Sequence, residues 1–395
     1  MIVSTDFRLR SIALTAYGPS ALAAIGYGAT LPVLPLLARH LGASVQLAAL
    51  MIGLAGLGPL IASLPAGSLV DRIGERRTLV GAGVIDATAM TIMALAGNLP
   101  LFMVTALVSN IAWTAFLLAR QGYMIDLVPA AHRARALSTL GGVHRIGAVV
   151  GPLLGAVLID RWGIRAPFLL AAVASLAAAA LTLTLPDLSA PARAEHAGVR
   201  MIEVLGAHRG VLFTLGTSVV VISGTRAVRA ALVPLWAEHV GLDAEVISLI
   251  VGVSSAIELL LFYPAGWIMD RYGRFWVGWS CVAVMALGFC LLPLAHGAVT
   301  VQAVALVIGI GNGLGSGIVM TLGADAAPTR GRSQFLGAWR TCGEVGGVGG
   351  PLLLGGLAAL APLATAVVAT GVVALVGSGW VGFWVHRAGR RAPAG

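Results

Sequence analysis

Pro65-Ala66-Gly67-Ser68-Leu69-Val70-Asp71-Arg72-Ile73-Gly74-Glu75-Arg76-Arg77 is a short polar connector between two long apolar runs. It returns 199 residues later as Pro264-Ala265-Gly266 and Asp270-Arg271-Tyr272-Gly273. The same offset lays Pro35-Leu36-Leu37-Ala38-Arg39-His40-Leu41-Gly42 on Pro234-Leu235-Trp236-Ala237-Glu238-His239-Val240-Gly241. It also lays Asp126 and Pro129 on Asp325 and Pro328, and Gly147, Gly151 and Pro152 on Gly346, Gly350 and Pro351. One ungapped register held over roughly 120 residues marks an internal duplication. Twice the offset nearly equals the 395 residues of the chain, so little lies outside the two copies.

The apolar runs set the solvent. Only 10% of residues are charged, 58% are hydrophobic, and the mean hydropathy is +0.94. Soluble domains carry about 25% charged residues, and a bilayer-spanning helix needs roughly 20 apolar ones. A soluble catalytic domain is thereby excluded. The formal charge of +9 comes entirely from arginine, scattered through short loops, whereas nucleic-acid binding requires a clustered basic face. Cys281, Cys290 and Cys342 lie inside apolar runs, where free cysteine behaves as a small hydrophobe, so neither a disulfide framework nor a metal site is expected. Arg8 and Arg10 followed by an apolar run and Ala21-Leu22-Ala23 imitate a secretory signal. The run continues to about Ala38 and the repeat uses all of it, so retention is expected.

Segmentation gives an all-α membrane protein with twelve spans in two pseudo-symmetric six-helix bundles. The spans fall at about 12–38, 45–70, 78–97, 100–125, 136–158 and 166–186, then 209–236, 244–268, 276–295, 299–324, 334–357 and 362–385. Residues 1–186 and 209–395 form the bundles. Residues 187–208, with Pro191, Arg193, Glu195, His196, Arg200 and Glu203, read as a polar cytoplasmic linker, partly an interfacial helix. Of the 25 basic residues, seventeen fall in loops on one side, among them Arg72, Arg76, Arg77, Arg133, Arg271 and Arg274. Only Arg39, Arg161 and Arg165 fall in loops on the other. The positive-inside rule then puts both termini in the cytoplasm and the chain in the inner membrane.

With Gly67 to Arg77 in the loop between the second and third spans, the segment resembles the G-x-L-x-D-R-x-G-R-R/K signature of the major facilitator superfamily, Glu75 replacing the usual basic residue. A weaker copy runs from Gly266 to Arg274 and includes Asp270 and Arg271. The resemblance covers the whole chain and is nearest the bacterial drug/proton antiporter-like twelve-helix branch. It implies the major facilitator fold and a cytoplasmic gate built on Gly67, Asp71, Arg72, Gly74, Arg76 and Arg77. Asp71 would cap the eleventh span, and the arginines would engage Asp126 at the end of the fourth. Glycine permits tight turns and close backbone approach, and an Asp at a helix N-terminus is favoured by the macrodipole. In the fifth span Gly147, Gly151, Pro152 and Gly155 are similar to the helix-packing motif of the family's antiporters, with Ser138 where a further glycine is expected. Many proton antiporters of the family carry an arginine midway along the fourth span. Here that stretch is Val108-Ser109-Asn110-Ile111-Ala112, and Arg120 lies nearer the cytoplasmic end, where it is expected to pair with Asp126 or the gate.

Ionisable residues within spans cost about 2.5–3.5 kcal/mol each on insertion scales and are candidate functional sites by default. They are Asp86, His144, Arg145, Arg226, Arg229, Glu258, Arg340 and Glu344. Helical spacing puts Arg226 with Arg229, and Arg340 with Glu344, on shared faces. The family fold implies Arg145 beside Glu258 and Arg340 beside Glu344, leaving Arg226 and Arg229 as unpaired cavity charges. The other reading is a set of buried structural pairs that fix helix register. Glu258 is the candidate proton carrier, since a carboxylate in a low-dielectric site can take and release a proton within a cycle. Tyr27, Asn110, Trp113 and Asn312 could add stacking and hydrogen bonds.

These features describe a secondary transporter that moves a small organic solute across the membrane by alternating access. The expected mode is proton-coupled efflux of amphipathic compounds, with the bilayer, the solute and the proton as partners and a monomer as the functional unit. The excess of cavity arginines keeps open a symporter or exchanger of an organic anion. A third reading, from another class, is a non-transporting membrane receptor or assembly subunit. Neither a nucleotide loop nor a metal cluster is present, so no enzyme, ATP-driven pump or cofactor is expected, and the energy source is the proton gradient.

Overall fold

The structure, a computed structural model, describes residues 13–128, 133–186, 206–328 and 332–390. Every regular element among them is helical. The first half contributes α1 (Ala13–Thr30), α2 (Val33–His40), α3 (Val45–Ile73), α4 (Glu75–Leu95), α5 (Leu99–Leu127), α6 (Arg133–Trp162) and α7 (Ala166–Leu183). The second contributes α8 (Arg209–His239), α9 (Ala244–Tyr272), α10 (Arg274–Leu291), α11 (Ala298–Leu314), α12 (Ile318–Ala326), α13 (Arg332–Leu360) and α14 (Leu363–Gly389). Eleven helices among the described residues are long and apolar enough to cross a membrane, and a twelfth arises if α1 and α2, bent by 45° at Leu31-Pro32, form one span. The twelve expected spans are thus recovered. The linker, expected at 187–208, lies outside the described residues as far as 205, as do Arg8 and Arg10.

The duplication is visible in the backbone. Gly74 has φ +86° and Gly273, its repeat equivalent, φ +92°; each ends one long helix and precedes the next. Gly42 and Gly241 repeat the pattern at +91° and +83°. These are left-handed conformations that only glycine adopts without strain, so the glycines of the signature are fixed by the turns they make.

The described residues form two compact units. One takes those of Met1–Leu31 and Ile61–Arg193, the other those of Pro32–Leu60 and Ala194–Gly395. This division departs from the two halves expected at 1–186 and 209–395, because α2 and the first half of α3 pack with the second unit. Arg39 Nε donates to Glu238 Oε2 at 3.3 Å, and Gln46 Nε2 donates to the carbonyl of Ala358 at 2.7 Å. Arg39 and Glu238 are repeat equivalents, so the duplication here pairs a position with its own copy.

Each unit has a glycine-lined seam. In the first, α6 lies on α1 so closely that a Cβ on Gly151 would stand 2.6 Å from Ala29 N and Ile25 O, and one on Gly147 2.6 Å from Ala24 C. In the second, α13 lies on α8, and Cβ atoms on Gly346 and Gly350 would stand 2.3 Å from Val220 O and Gly224 O. Gly155 is looser, 3.2 Å from Ala29 O. The motif of the fifth span therefore serves packing inside its own unit, and the same packing recurs in α13. Gly151→Ala is expected to lower the stability of the detergent-solubilised protein by about 1–3 kcal/mol. On the same helix Gly142 has nothing within 4 Å, so Gly142→Ala should be neutral or stabilising by up to about 1 kcal/mol. Thermal unfolding of the two variants side by side checks this, and equal effects would refute the packing account.

Candidate functional site

Glu258 sits at the midpoint of the 29-residue α9, with about 21 Å of helix on either side. An unpartnered carboxylate at that depth would be costly. It is met from two neighbouring helices. Arg229 of α8 forms an ion pair with Glu258 Oε1, both side chains about one-sixth exposed (17% and 15%). Asn312 of α11 donates from Nδ2 to Glu258 Oε2. The approach is made possible by Gly313, where a Cβ would stand 3.0 Å from Glu258 Cα.

One turn earlier on α8, Arg226 donates from Nη1 to the carbonyl of Gly315 at 3.2 Å. That carbonyl lies where the tenth span breaks: α11 ends at Leu314, Gly317 takes φ +86°, and α12 begins at Ile318. A helix that stops inside a span leaves carbonyls with spare acceptor capacity, and the Gly315 carbonyl takes the guanidinium as well as the Ile318 N–H at 3.4 Å. The break falls in the run Gly309, Gly311, Gly313, Gly315, Gly317, a signal that a single expected span at 299–324 passed over. No acid pairs with Arg226 among the described residues, so the cluster of Arg226, Arg229 and Glu258 carries one net positive charge.

One expectation is corrected here. Arg229, expected as an unpaired cavity charge, is paired with Glu258 of its own unit, and Asn312 holds the same carboxylate from α11. Arg340 and Glu344 do meet, at 3.6 Å one turn apart on α13, with the arginine side chain 46% exposed.

The first unit holds a different polar arrangement. Asp86 of α4, 8% exposed, accepts hydrogen bonds from Ser109 of α5 at 2.6 Å and Ser175 of α7 at 2.5 Å. It borders a cavity of about 10 Å³, room for one water, whose walls include Trp113 and Phe116. Trp113 stacks on Tyr27 at 4.7 Å and meets the His144 ring edge-on at 5.7 Å. His144 Nδ1 lies 3.1 Å from the Leu140 carbonyl, to which it donates. The Asn110 amide is spent on the Ala106 carbonyl of its own helix. Arg120 is wholly buried, its Nε 3.1 Å from Ser20 Oγ of α1 and its guanidinium 5.7 Å from the Tyr123 ring. Its expected partner Asp126 has a side chain outside the described residues.

At the signature loops, Arg76 donates to the Leu183 carbonyl at the end of α7, while Arg72 and Arg77 are exposed. The side chains of Asp71 and Asp126 lie outside the described residues. The second copy shows the kind of pairing expected of the first: Arg274 Nε is 2.9 Å from Asp325 Oδ2, with Asp270 at 3.9 Å. Arg274 is the repeat equivalent of Glu75, and Asp325 that of Asp126, so the first copy carries an acid where the second carries the arginine of this pair. Arg271 lies over the Trp267 ring at 5.6 Å. No group of three or more potential metal ligands occurs among the described residues.

A family model described as Major Facilitator Superfamily matches residues 20–351 and again 214–395. An uncharacterised MFS-type transporter of Methanocaldococcus jannaschii is 21% identical over 343 residues, 85% of this chain and 88% of the relative. A multidrug resistance protein of Erwinia billingiae is 29% identical over 174 residues, 43% of this chain and 42% of the relative. Among solved structures, a POT family transporter in complex with a thioalcohol-conjugated peptide superposes with a TM-score of 0.79 at 13% identity, covering 96% of each chain, a likeness of fold alone. Signature loops, helix count and the match along almost the whole chain agree: this protein belongs to the major facilitator superfamily, a family of multi-pass transporters rather than enzymes.

Proposed function

We propose that this transporter couples movement of a small amphipathic organic solute to the proton gradient, with Glu258 as the proton carrier, and that it works as an exporter in the inner membrane with both termini cytoplasmic. The observation that carries the reading is the Glu258–Arg229 pair at mid-span. A carboxylate engaged by a guanidinium and an amide can take a proton only by letting the arginine go, so a proton arriving at Glu258 is coupled to the release of Arg229. Export is supported by the likeness to a multidrug resistance protein, and orientation by the arginine count of the loops. Arg226 supports a second reading. With no acid partner among the described residues, it favours an organic anion as the solute.

In inverted vesicles, an imposed pH gradient should drive accumulation of a lipophilic drug probe, and Glu258→Gln should reduce that accumulation to the level of vesicles lacking the protein. Persistence of gradient-driven uptake in Glu258→Gln would end the proton assignment. Arg229→Gln strands the carboxylate and should cost about 3–5 kcal/mol of stability, much of it restored in Arg229→Gln/Glu258→Gln. A double variant no more stable than the single one would show the pair to be weak. Arg226→Gln should weaken binding of an anionic probe tenfold or more and leave a cationic probe unchanged. Equal loss of both would assign Arg226 to the helix break alone.

A further inference from the structure

The polar cluster at mid-span contains one atom that the proton step leaves unused. Asn312 is buried, 6% exposed. Its Nδ2 donates to Glu258 Oε2, yet its Oδ1 is a buried acceptor with no hydrogen-bond partner. A polar atom stranded in a low-dielectric interior is costly, so its presence needs a physical reason.

Glu258 supplies one. Ionised, its carboxylate only accepts, and the Asn312 N–H meets that need. Protonated, it carries an O–H that must donate. Glu258 Oε1 is buried on the side of Arg229, and a guanidinium has no acceptor to give an O–H there. On the Oε2 side, Asn312 has one to spare. A half-turn of the amide about Cβ–Cγ exchanges Nδ2 for Oδ1, two atoms of similar size, and brings the unused acceptor to Glu258. Gly311 and Gly313 flank Asn312 and contribute no side chains to hinder the turn.

The charged and titratable groups on the surrounding helices are otherwise engaged. From α8, Arg229 pairs with Glu258 itself, and Arg226 donates to the Gly315 carbonyl. On α10, Arg274 is held by Asp325, and the buried Cys281 thiol lies against Gly315. On α2, Arg39 is held by Glu238 and His40 is exposed. No residue of α11 titrates. None of these side chains offers an acceptor at Glu258 Oε2; the Asn312 amide does.

The trio is particular to the second copy. The repeat equivalents of Arg229, Glu258 and Asn312 are Thr30, Pro59 and Trp113, so base, acid and amide occur together in one half and are all missing from the other.

We propose that Asn312 is a positioning residue that follows the protonation of Glu258 by turning its amide, presenting Nδ2–H to the ionised carboxylate and Oδ1 to the O–H of the protonated acid. This rests on Glu258 being the proton carrier. The step is balanced. One proton arrives from water and forms an O–H bond at Glu258 Oε2, Arg229 leaves Oε1 with its charge, and the Nδ2–H···Oε2 hydrogen bond is exchanged for Oε2–H···Oδ1. Release of the proton reverses each change. The amide thereby holds the proton on Glu258 while the guanidinium is away.

Infrared difference spectra of the full-length protein in proteoliposomes, taken between alkaline and acid pH, test this in the wild-type chain. The sequence has three asparagines, Asn98, Asn110 and Asn312, so asparagine labelled with heavy carbon at Cγ isolates few side-chain amides. Asn98 caps α5 and Asn110 is bound to the Ala106 carbonyl, so neither should respond. On acidification a labelled amide band should change and a carboxylic acid C=O band should appear, and Glu258→Gln should abolish both. In Asn312→Leu the acid band should shift to higher frequency, as for an O–H that has lost its acceptor. Asn312→Thr, whose hydroxyl both donates and accepts, should keep the band near its wild-type position. An acid band that is lost in Glu258→Gln but unmoved in Asn312→Leu, or a labelled amide indifferent to pH while that band appears, overturns the proposal and leaves Glu258 as the carrier. If no acid band is lost in Glu258→Gln, the carrier assignment fails and the proposal falls with it.

Discussion

The ion pair between Arg229 and Glu258 is the constraint around which the second unit is arranged. Neither charge is tolerable alone at mid-span, where each would cost about 2.5–3.5 kcal/mol. Their meeting fixes the register of α8 against α9, and Asn312 adds α11. Close approach demands a residue without a side chain beside Asn312, which is Gly313. Alternate glycines loosen the chain, the helix breaks two residues further on, and the Gly315 carbonyl there accepts from Arg226 as well as from the Ile318 N–H. One electrostatic requirement thus accounts for a helix register, a glycine run and a discontinuity.

The first unit solves a similar problem with different chemistry. Among the described residues no guanidinium pairs with Asp86; its carboxyl is answered by two serine hydroxyls from two other helices. The repeat equivalent of Asp86 is Met285, so the acid has no counterpart in the other copy. What the copies share is backbone punctuation, the turn glycines and the glycine seams, which sterics hold to one residue type. Outside the repeated Asp71, Arg72 and Asp126, several charges diverge. Arg39, Glu75 and Arg145 stand opposite Glu238, Arg274 and Glu344 in the repeat, each with its sign reversed. At Arg39 and Glu238 the reversal has a direct physical reason. The two equivalent positions meet, and identical charges there would repel where opposite ones attract.

This difference explains what could be read from the chain. Span number, turns and seams follow from periodicity and from glycine's unique conformational range, so the helices of both halves and the role of Gly74 and Gly151 were legible. Side-chain partnership was not. Arg145 and Arg229 are both arginines within spans, and helical spacing says only which residues share a face of one helix, never which neighbouring helix that face meets. Arg120 shows the same limit: its position along α5 does not reveal that its Nε meets Ser20 of α1. The break at Gly315 to Gly317 was written in the alternating glycines but hidden by the continuous apolarity around them. Asp71 and Asp126 lie beyond what the described side chains address.

With Glu258 in its proposed role as proton carrier, the charge count of the cluster limits the solute. With Glu258 ionised, Arg226, Arg229 and Glu258 sum to one positive charge; with Glu258 protonated, to two. A unit charge about 6 Å away feels that added charge as about 3 kcal/mol at an effective dielectric of 20. Proton uptake therefore strengthens the hold on an anion and weakens it on a cation. An anion would bind together with the proton and travel in the same direction. A cation would be expelled as the proton arrives, the order that exchange requires, but it would have to bind against the standing charge of Arg226. A neutral amphipath avoids that opposition and senses the proton only through the release of Arg229, whose guanidinium becomes available to a polar group on the solute when Glu258 lets it go.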